Sequence, residues 1–193
     1  MSKQLILASS SPRRQGLLEQ VNIPFTIRKP DIDESQIKTN EPFEKVRQLA
    51  IRKAQKVQIE NDDKVILTAD TVVSYNQTIF EKPKTKEEAY KMIASLSGEI
   101  HEVFTGVMIK SLHNDFVFVE RTKVEFWPLS ADEIDWYISM KDPYDKAGAY
   151  GIQSYGAKFV KQIFGDYYNV VGLPISRVVR ELRNFSIYPE DNE

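Results

Sequence analysis

The chain has 193 residues, 41% hydrophobic and 28% charged, a length that suits one sizeable core or two lobes rather than two independent domains. Its formal net charge of −2 gives no general pull toward nucleic acid or an anionic membrane, and no apolar run has the length of a membrane span. The absence of cysteine excludes disulfides, thiolate metal sites and cysteine nucleophiles, and two histidines far apart in sequence, His101 and His113, leave little room for a histidine-rich metal centre.

In chain order, residues 4–8 read as a short buried strand. A helix follows with Ser11 as its N-cap, Pro12 as its first residue, and Leu17 and Leu18 facing inward. "IPFTIR" (23–28) reads as a second strand and residues 29–42 as a polar loop. Asn40 is the expected cap of a helix with Pro42 in its first turn, running to about Glu60. "KVILTADTVVSY" (64–75) is the strongest strand, with "NQ" turning into "TIF" (78–80). Thr85 and Glu88 form a capping box for a helix ending near Gly98, and Ser130 and Glu133 form another. Residues 100–110 and 115–127 read as a long hairpin turning at His113-Asn114, and "AKFVKQIFGDYYNVVG" (157–172) as a final hairpin turning at Gly165-Asp166. Pro174 opens the last helix, with Ile175, Val178, Val179, Leu182 and Phe185 on one face. Interleaved helices and strands, several of them hairpin-paired, predict an α/β fold: a mixed, partly antiparallel twisted sheet flanked by helices.

Four stretches carry chemistry. In "ASSSPRR" a strand, a small-residue turn and a helix N-terminus offer free N–H groups, hydroxyls and two planar guanidinium forks to an anion. Arg13 and Arg14 oppose the dipole of their own helix, so removing either should leave the empty protein as stable or slightly more so. The other reading is a plain Ser-Pro helix start with two solvated arginines. Asp70 interrupts an apolar run buried on both faces, which suits either a general base or metal ligand, or a carboxylate satisfied by backbone N–H groups at a bulge. Lys53 falls inside the apolar stripe of Val46, Ala50 and Val57, as a ligand or as a snorkelling lysine. Read alone, Lys82 is a surface lysine and Glu34 part of an acidic loop. Five of the eight glycines lie between 148 and 172, around Lys146, Tyr150, Gln153 and Tyr155. They mark a ligand-binding loop or a connection packed under the sheet.

Together "LILASSSPRR", "LAIRKA", "LTADTVV", "FEKP", "FTGV", "DKAGAYGIQ" and "GDYYNVVGLP" resemble the Maf family, in family order and spacing from about residue 4 to 185. The resemblance implies two lobes around a central cleft, related to inosine triphosphatases. It implies a nucleoside triphosphate pyrophosphatase giving a monophosphate and pyrophosphate with a divalent cation, magnesium or manganese. On this resemblance Ser9, Arg13 and Arg14 cradle the triphosphate, Lys53 and Lys82 contact phosphates, Asp70 is the proton acceptor, and Glu34 and Asp70 lie at the metal. "ADT" points to the dTTP/UTP subgroup, in which Arg13, Thr71 and Gln153 match positions tied to base selection. The expectation is thus a cytoplasmic single-domain enzyme (residues 1–193) without nucleic-acid or membrane partners, with a homodimer left open. The alternative is a regulatory protein of septum formation whose nucleotide site is secondary.

Overall fold

The computed structural model describes residues 3–191. Strands β1 (Gln4–Leu7), β2 (Phe25–Ile27), β3 (Lys64–Tyr75), β4 (Thr78–Phe80), β5 (Ile100–Lys110), β6 (Asp115–Phe126) and β7 (Val160–Phe164) form one sheet in the order β2-β1-β3-β5-β6-β7, with β4 also on β3. β1 runs parallel to β2 and β3; the remaining pairs are antiparallel. The helices are α1 (Pro12–Gln20), α2 (Pro42–Gln55), α3 (Lys86–Leu96), α4 (Ala131–Ile138), α5 (Tyr167–Val171) and α6 (Ile175–Leu182). This is the mixed α/β sheet that the sequence pattern predicts.

The long strands feed two separate apolar clusters. Val65, Leu67 and Ala69 of β3 join Val107 and Ile109 of β5 against Leu17 and Leu18 of α1 and Val178 and Leu182 of α6. Farther along, Val73, Val103, Val124 and Phe126 pack with Ile93 of α3 and with Ile134 and Tyr137 of α4. Between these clusters β3 loses its neighbour on one edge. Lys64–Leu67 pair with β1 and Val73–Tyr75 with β4, so Thr68–Val72 are held on that side by neither strand. Asp70 and Thr71 sit in this break. The tight return into β4 uses Asn76 (φ 46°) and Gln77 (φ 62°), the left-handed pair that matches hairpin twist.

Helix α2 lies across the sheet at Gly106, the residue paired with Asp70. A Cβ there would stand 2.3 Å from the Val46 carbonyl oxygen, so only glycine lets the helix sit this close to the strand that faces Asp70.

Four local expectations are corrected. Glu41 rather than Asn40 caps α2, its side chain accepting from the Glu44 N–H, and α2 ends at Gln55 rather than near Glu60. The apolar stripe misleads because Val57 stays buried with Ala50 and Ala54 after the helix has stopped. Thr85 does accept from the Glu88 N–H, but the Glu88 carboxylate accepts from Lys84 rather than closing the box. Ser130 and Glu133 do form the full box. After Gly165 the chain makes α5, not a second strand: Asp166 caps it by accepting from the Tyr168 N–H, and β7 pairs with β6 instead. A run as short as "YYNVV" fits helix and strand patterns alike.

Candidate active site

Asp70 lies on the α2 side of β3. Alternation along the strand sends Ile66 and Val72 to that side, and Thr68 there donates to the Ala50 carbonyl at 2.7 Å. β3 and β5 stay in continuous register from Ile66 to Ser74, so no bulge offers backbone N–H groups to the carboxylate. Its partner is the Lys53 ammonium, which projects from α2 onto Asp70 Oδ2 and also meets Glu34 Oε1 at 3.0 Å. The Lys53 and Asp70 side chains are only 13% and 12% exposed, and each supplies the counter-charge the other needs at that depth. Lys53 therefore does not snorkel to solvent. Glu34 is brought in by the short 3-10 turn Glu34–Gln36, which Asp33 caps.

The turn after β1 forms the adjoining wall. Ser11 holds the N-cap position of α1, yet its side chain caps nothing. Ser9, only 6% exposed, does the organising: its Oγ accepts from the Ser11 N–H at 3.2 Å and from Arg14 Nη1 at 3.3 Å. Arg14 Nε donates to the Gly172 carbonyl at 2.7 Å and Nη2 to Thr71 Oγ1 at 3.1 Å. Gly172 is the C-cap of α5, so a cation misplaced on its own helix is well placed on the carbonyl end of another. Burial lowers the Arg14 pKa, Asp70 and Glu34 pull it up and Arg13 adds to the lowering; the guanidinium keeps its charge. Arg13 pairs with Asp145 at 2.9 Å. Neither arginine is merely solvated, and the three hydrogen bonds of Arg14 weigh against a harmless deletion.

Thr71 points to the face opposite Asp70. The Thr71 and Thr105 hydroxyls meet at 2.8 Å, with the Gly172 carbonyl 3.5 Å from Thr71 Oγ1 and the Asn169 carbonyl 3.2 Å from Thr105 Oγ1, so either hydroxyl can donate to the other. Arg14, Thr71 and Thr105 thus form one hydrogen-bonded chain along the cleft wall.

All nine residues named from the sequence (Ser9, Arg13, Arg14, Glu34, Lys53, Asp70, Thr71, Lys82 and Gln153) line one cleft of about 830 Å³. Lys82 and Gln153 are exposed on its walls and make no hydrogen bond or ion pair among the described residues. The other polar residues of the glycine-rich loop are committed elsewhere. Lys146 is bound by Asp142 and Asp145, the Tyr150 hydroxyl contacts His101 Nε2 at 2.7 Å, and Tyr155 stacks edge-on against Trp136. Burial drives the His101 pKa down to about 3 and pushes the Tyr150 hydroxyl far up, so both are neutral near pH 7. Sequence reasoning missed Asp145, Thr105 and Lys45, which pairs with Glu81 on the cleft wall. An acid following "DPY" and a threonine inside an apolar strand are weak signals that gain meaning only from their distant partners.

Several cations, of which Arg14 keeps two N–H groups unused, suit a polyanion. Two carboxylates converge on Lys53, and no cluster of three or more His, Cys, Asp or Glu forms among the described residues, here or elsewhere. Glu34 and Asp70 fit a hard divalent cation that completes its shell with water and ligand oxygens, not a closed protein cage. No helix of the described residues is long and apolar enough to cross a membrane.

Residues 4–185 match the model of a family described as "Maf-like protein". A protein of Halalkalibacterium halodurans named dTTP/UTP pyrophosphatase is 53% identical over 181 residues, 94% of this chain and 95% of that protein. Proteins with the same name are 50% identical in Bacillus cereus (strain G9842) and 49% identical in Bacillus anthracis. Each aligns over 185 residues, 96% of this chain and 97% of the relative.

Proposed function

The chain belongs to the Maf family, and on that premise we propose that it hydrolyses dTTP and UTP to the monophosphate and pyrophosphate. The observation that carries the reading is Asp70: a carboxylate deep in an apolar strand, held by one lysine, opening onto a cleft lined by further cations. Cleavage between the α- and β-phosphates needs an in-line water, an acceptor for its proton and compensation of the charge on the leaving pyrophosphate. Asp70 takes the water proton as the new P–O bond forms and the bridging P–O bond breaks. Arg13, Arg14, Lys53 and Lys82 hold the phosphate oxygens; Ser9 fixes Arg14 and with it the turn. Lys53 moves from sharing two carboxylates to sharing Asp70 with a phosphate oxygen, so the triphosphate displaces Glu34 while Asp70 keeps its lysine. Glu34 and Asp70 would hold a magnesium or manganese ion, which when bound neutralises phosphate charge.

Gln153 supplies a donor and an acceptor in one amide, matching the alternating edge of uracil or thymine, with Arg13 and Thr71 as the other base-selecting positions. Cytosine reverses that alternation and is disfavoured. We place the enzyme in the cytoplasm with its nucleotides, acting as a single domain.

The test is product identification. The purified protein is incubated with each common triphosphate and magnesium or manganese, and products are separated chromatographically. Monophosphate and pyrophosphate, with dTTP and UTP ranked first by kcat/KM, are expected. Orthophosphate release overturns the reaction assignment, and a purine ranked first overturns the base assignment.

A further inference from the structure

The glycine-rich side of the cleft contains charges that this chemistry does not use. Lys146 has a side chain only 12% exposed, and its Nζ meets the Asp142 carbonyl at 2.8 Å, Asp142 Oδ1 at 3.0 Å and Asp145 Oδ1 at 2.7 Å. An ammonium has three protons, so none remains for a phosphate. The lysine stem is pressed onto Gly151, where a Cβ would stand 2.5 Å from Lys146 Cε and 2.6 Å from Ser154 Oγ. Asp142 is equally occupied: its Oδ2 accepts from Ser154 Oγ at 2.6 Å and from the Tyr137 hydroxyl at 2.7 Å. Asp145 gives its second oxygen to Arg13 Nη1 at 2.9 Å.

The contacts therefore run from Ser154 through Asp142, Lys146 and Asp145 to Arg13. Ser154 adjoins Gln153, so the path joins Arg13 to the turn that carries Gln153, the base-selecting position farthest from it in the chain. An ion pair drawn out of water, with Lys146 and Asp142 only 12% and 13% exposed, is a costly way to hold a loop for stability alone, and an apolar contact would do as well. What it provides is a fixed separation. We propose that Asp142 and Asp145, bridged by Lys146, are specificity-positioning residues that lock Arg13 and the Gln153 turn into one frame for reading a pyrimidine edge. The inference rests on the pyrimidine triphosphate reading above.

The variants Asp142→Asn, which keeps the side-chain shape, and Asp145→Asn, at a 60% exposed carboxylate whose change spares the fold, test it. The readouts are kcat and KM for dTTP, UTP, CTP and dATP, with thermal melts alongside. Misplacement by about an ångström is costly, so the dTTP-to-CTP preference should fall roughly 10-fold or more in Asp142→Asn and less in Asp145→Asn. The change should enter mainly through KM, and Asp145→Glu should restore the preference. Unchanged preferences in both variants overturn the proposal, as does an equal loss on every substrate that tracks the melting temperature. If the wild-type chain releases no pyrophosphate from any pyrimidine triphosphate, the functional reading has failed first and takes the inference with it. An active wild type with indifferent variants defeats the inference alone.

Discussion

The two sides of the cleft are built on opposite plans. On one, Lys53 divides its ammonium between Asp70 and Glu34, and Lys82 stands exposed without a partner among the described residues. On the other, Lys146, Asp142, Tyr137, Ser154 and Tyr150 each have their polar atoms engaged within the protein, leaving Gln153 open. On the proposed function, the difference follows from what each side would read. Charge attracts charge over several ångströms and tolerates movement, so loosely held cations suffice for a triphosphate. A hydrogen bond fails within a few tenths of an ångström, so groups that read a base edge need a rigid mount.

The largest effect should come from removing the exchangeable base. Asp70→Asn should lower kcat by about 10²–10⁴, the usual worth of a general base. Glu34 remains as counter-ion to Lys53, so the variant should still fold. Turnover by single-point product analysis and a melt decide this, and an active variant would remove Asp70 from its role. Next comes Arg14→Ala, which deletes three hydrogen bonds at about 1 kcal/mol each and should cost roughly 2–3 kcal/mol in urea unfolding of the empty protein. A neutral result would mean that the helix dipole outweighs those contacts, and Arg14 would belong to the exchangeable side after all.

That reversal for Arg14 marks where the sequence stops being informative. β3, the Asn76-Gln77 turn and the β5–β6 hairpin were legible because alternation and turn chemistry are local. Asp70 and Lys53 stood out because each violates an apolar pattern, and their meeting explains both violations. Arg14 finds its partner 158 residues away and Arg13 finds Asp145 132 residues away, and no local pattern encodes those contacts. The family motifs name nine residues one by one; the folded chain brings them to one cleft, where the break between β1 and β4 along β3 leaves Asp70 and Thr71 open. α5 was misread because five residues carry too little periodicity to choose a helix.

Acid should loosen the rigid side. His101 is 1% exposed, packs edge-on against Phe126 and Tyr150, and has its pKa lowered to about 3 by burial. The unfolded chain protonates this histidine near pH 6.5 while the folded one does not. Stability is therefore complete above that pH and falls at about 1.4 kcal/mol per pH unit as the pH drops toward 3. Urea midpoints at pH 7 and pH 5 should differ by about 2 kcal/mol through His101, on top of any carboxylate contribution. His101→Gln, which cannot titrate, should remove that part. An unaltered pH dependence in the variant would show that His101 is protonated in the fold.

The smallest effect on stability is expected at the seam between the two sides. Arg13 starts from α1 and ends on Asp145, with the two side chains 29% and 60% exposed. A pair this open contributes about 0–1 kcal/mol, and a cation in the first turn of a helix costs about 0.3–1 kcal/mol. The two nearly cancel, so Arg13→Ala should leave the melt of the empty protein within about 0.5 kcal/mol of wild type. With a non-hydrolysable dTTP analogue and magnesium present, the ligand-induced rise in melting temperature should shrink, because the lost cation faces the bound nucleotide. If the empty protein instead loses more than about 1 kcal/mol, the Arg13–Asp145 contact that positions Arg13 also holds α1 in the fold, and the division between the two sides runs through α1 rather than beside it.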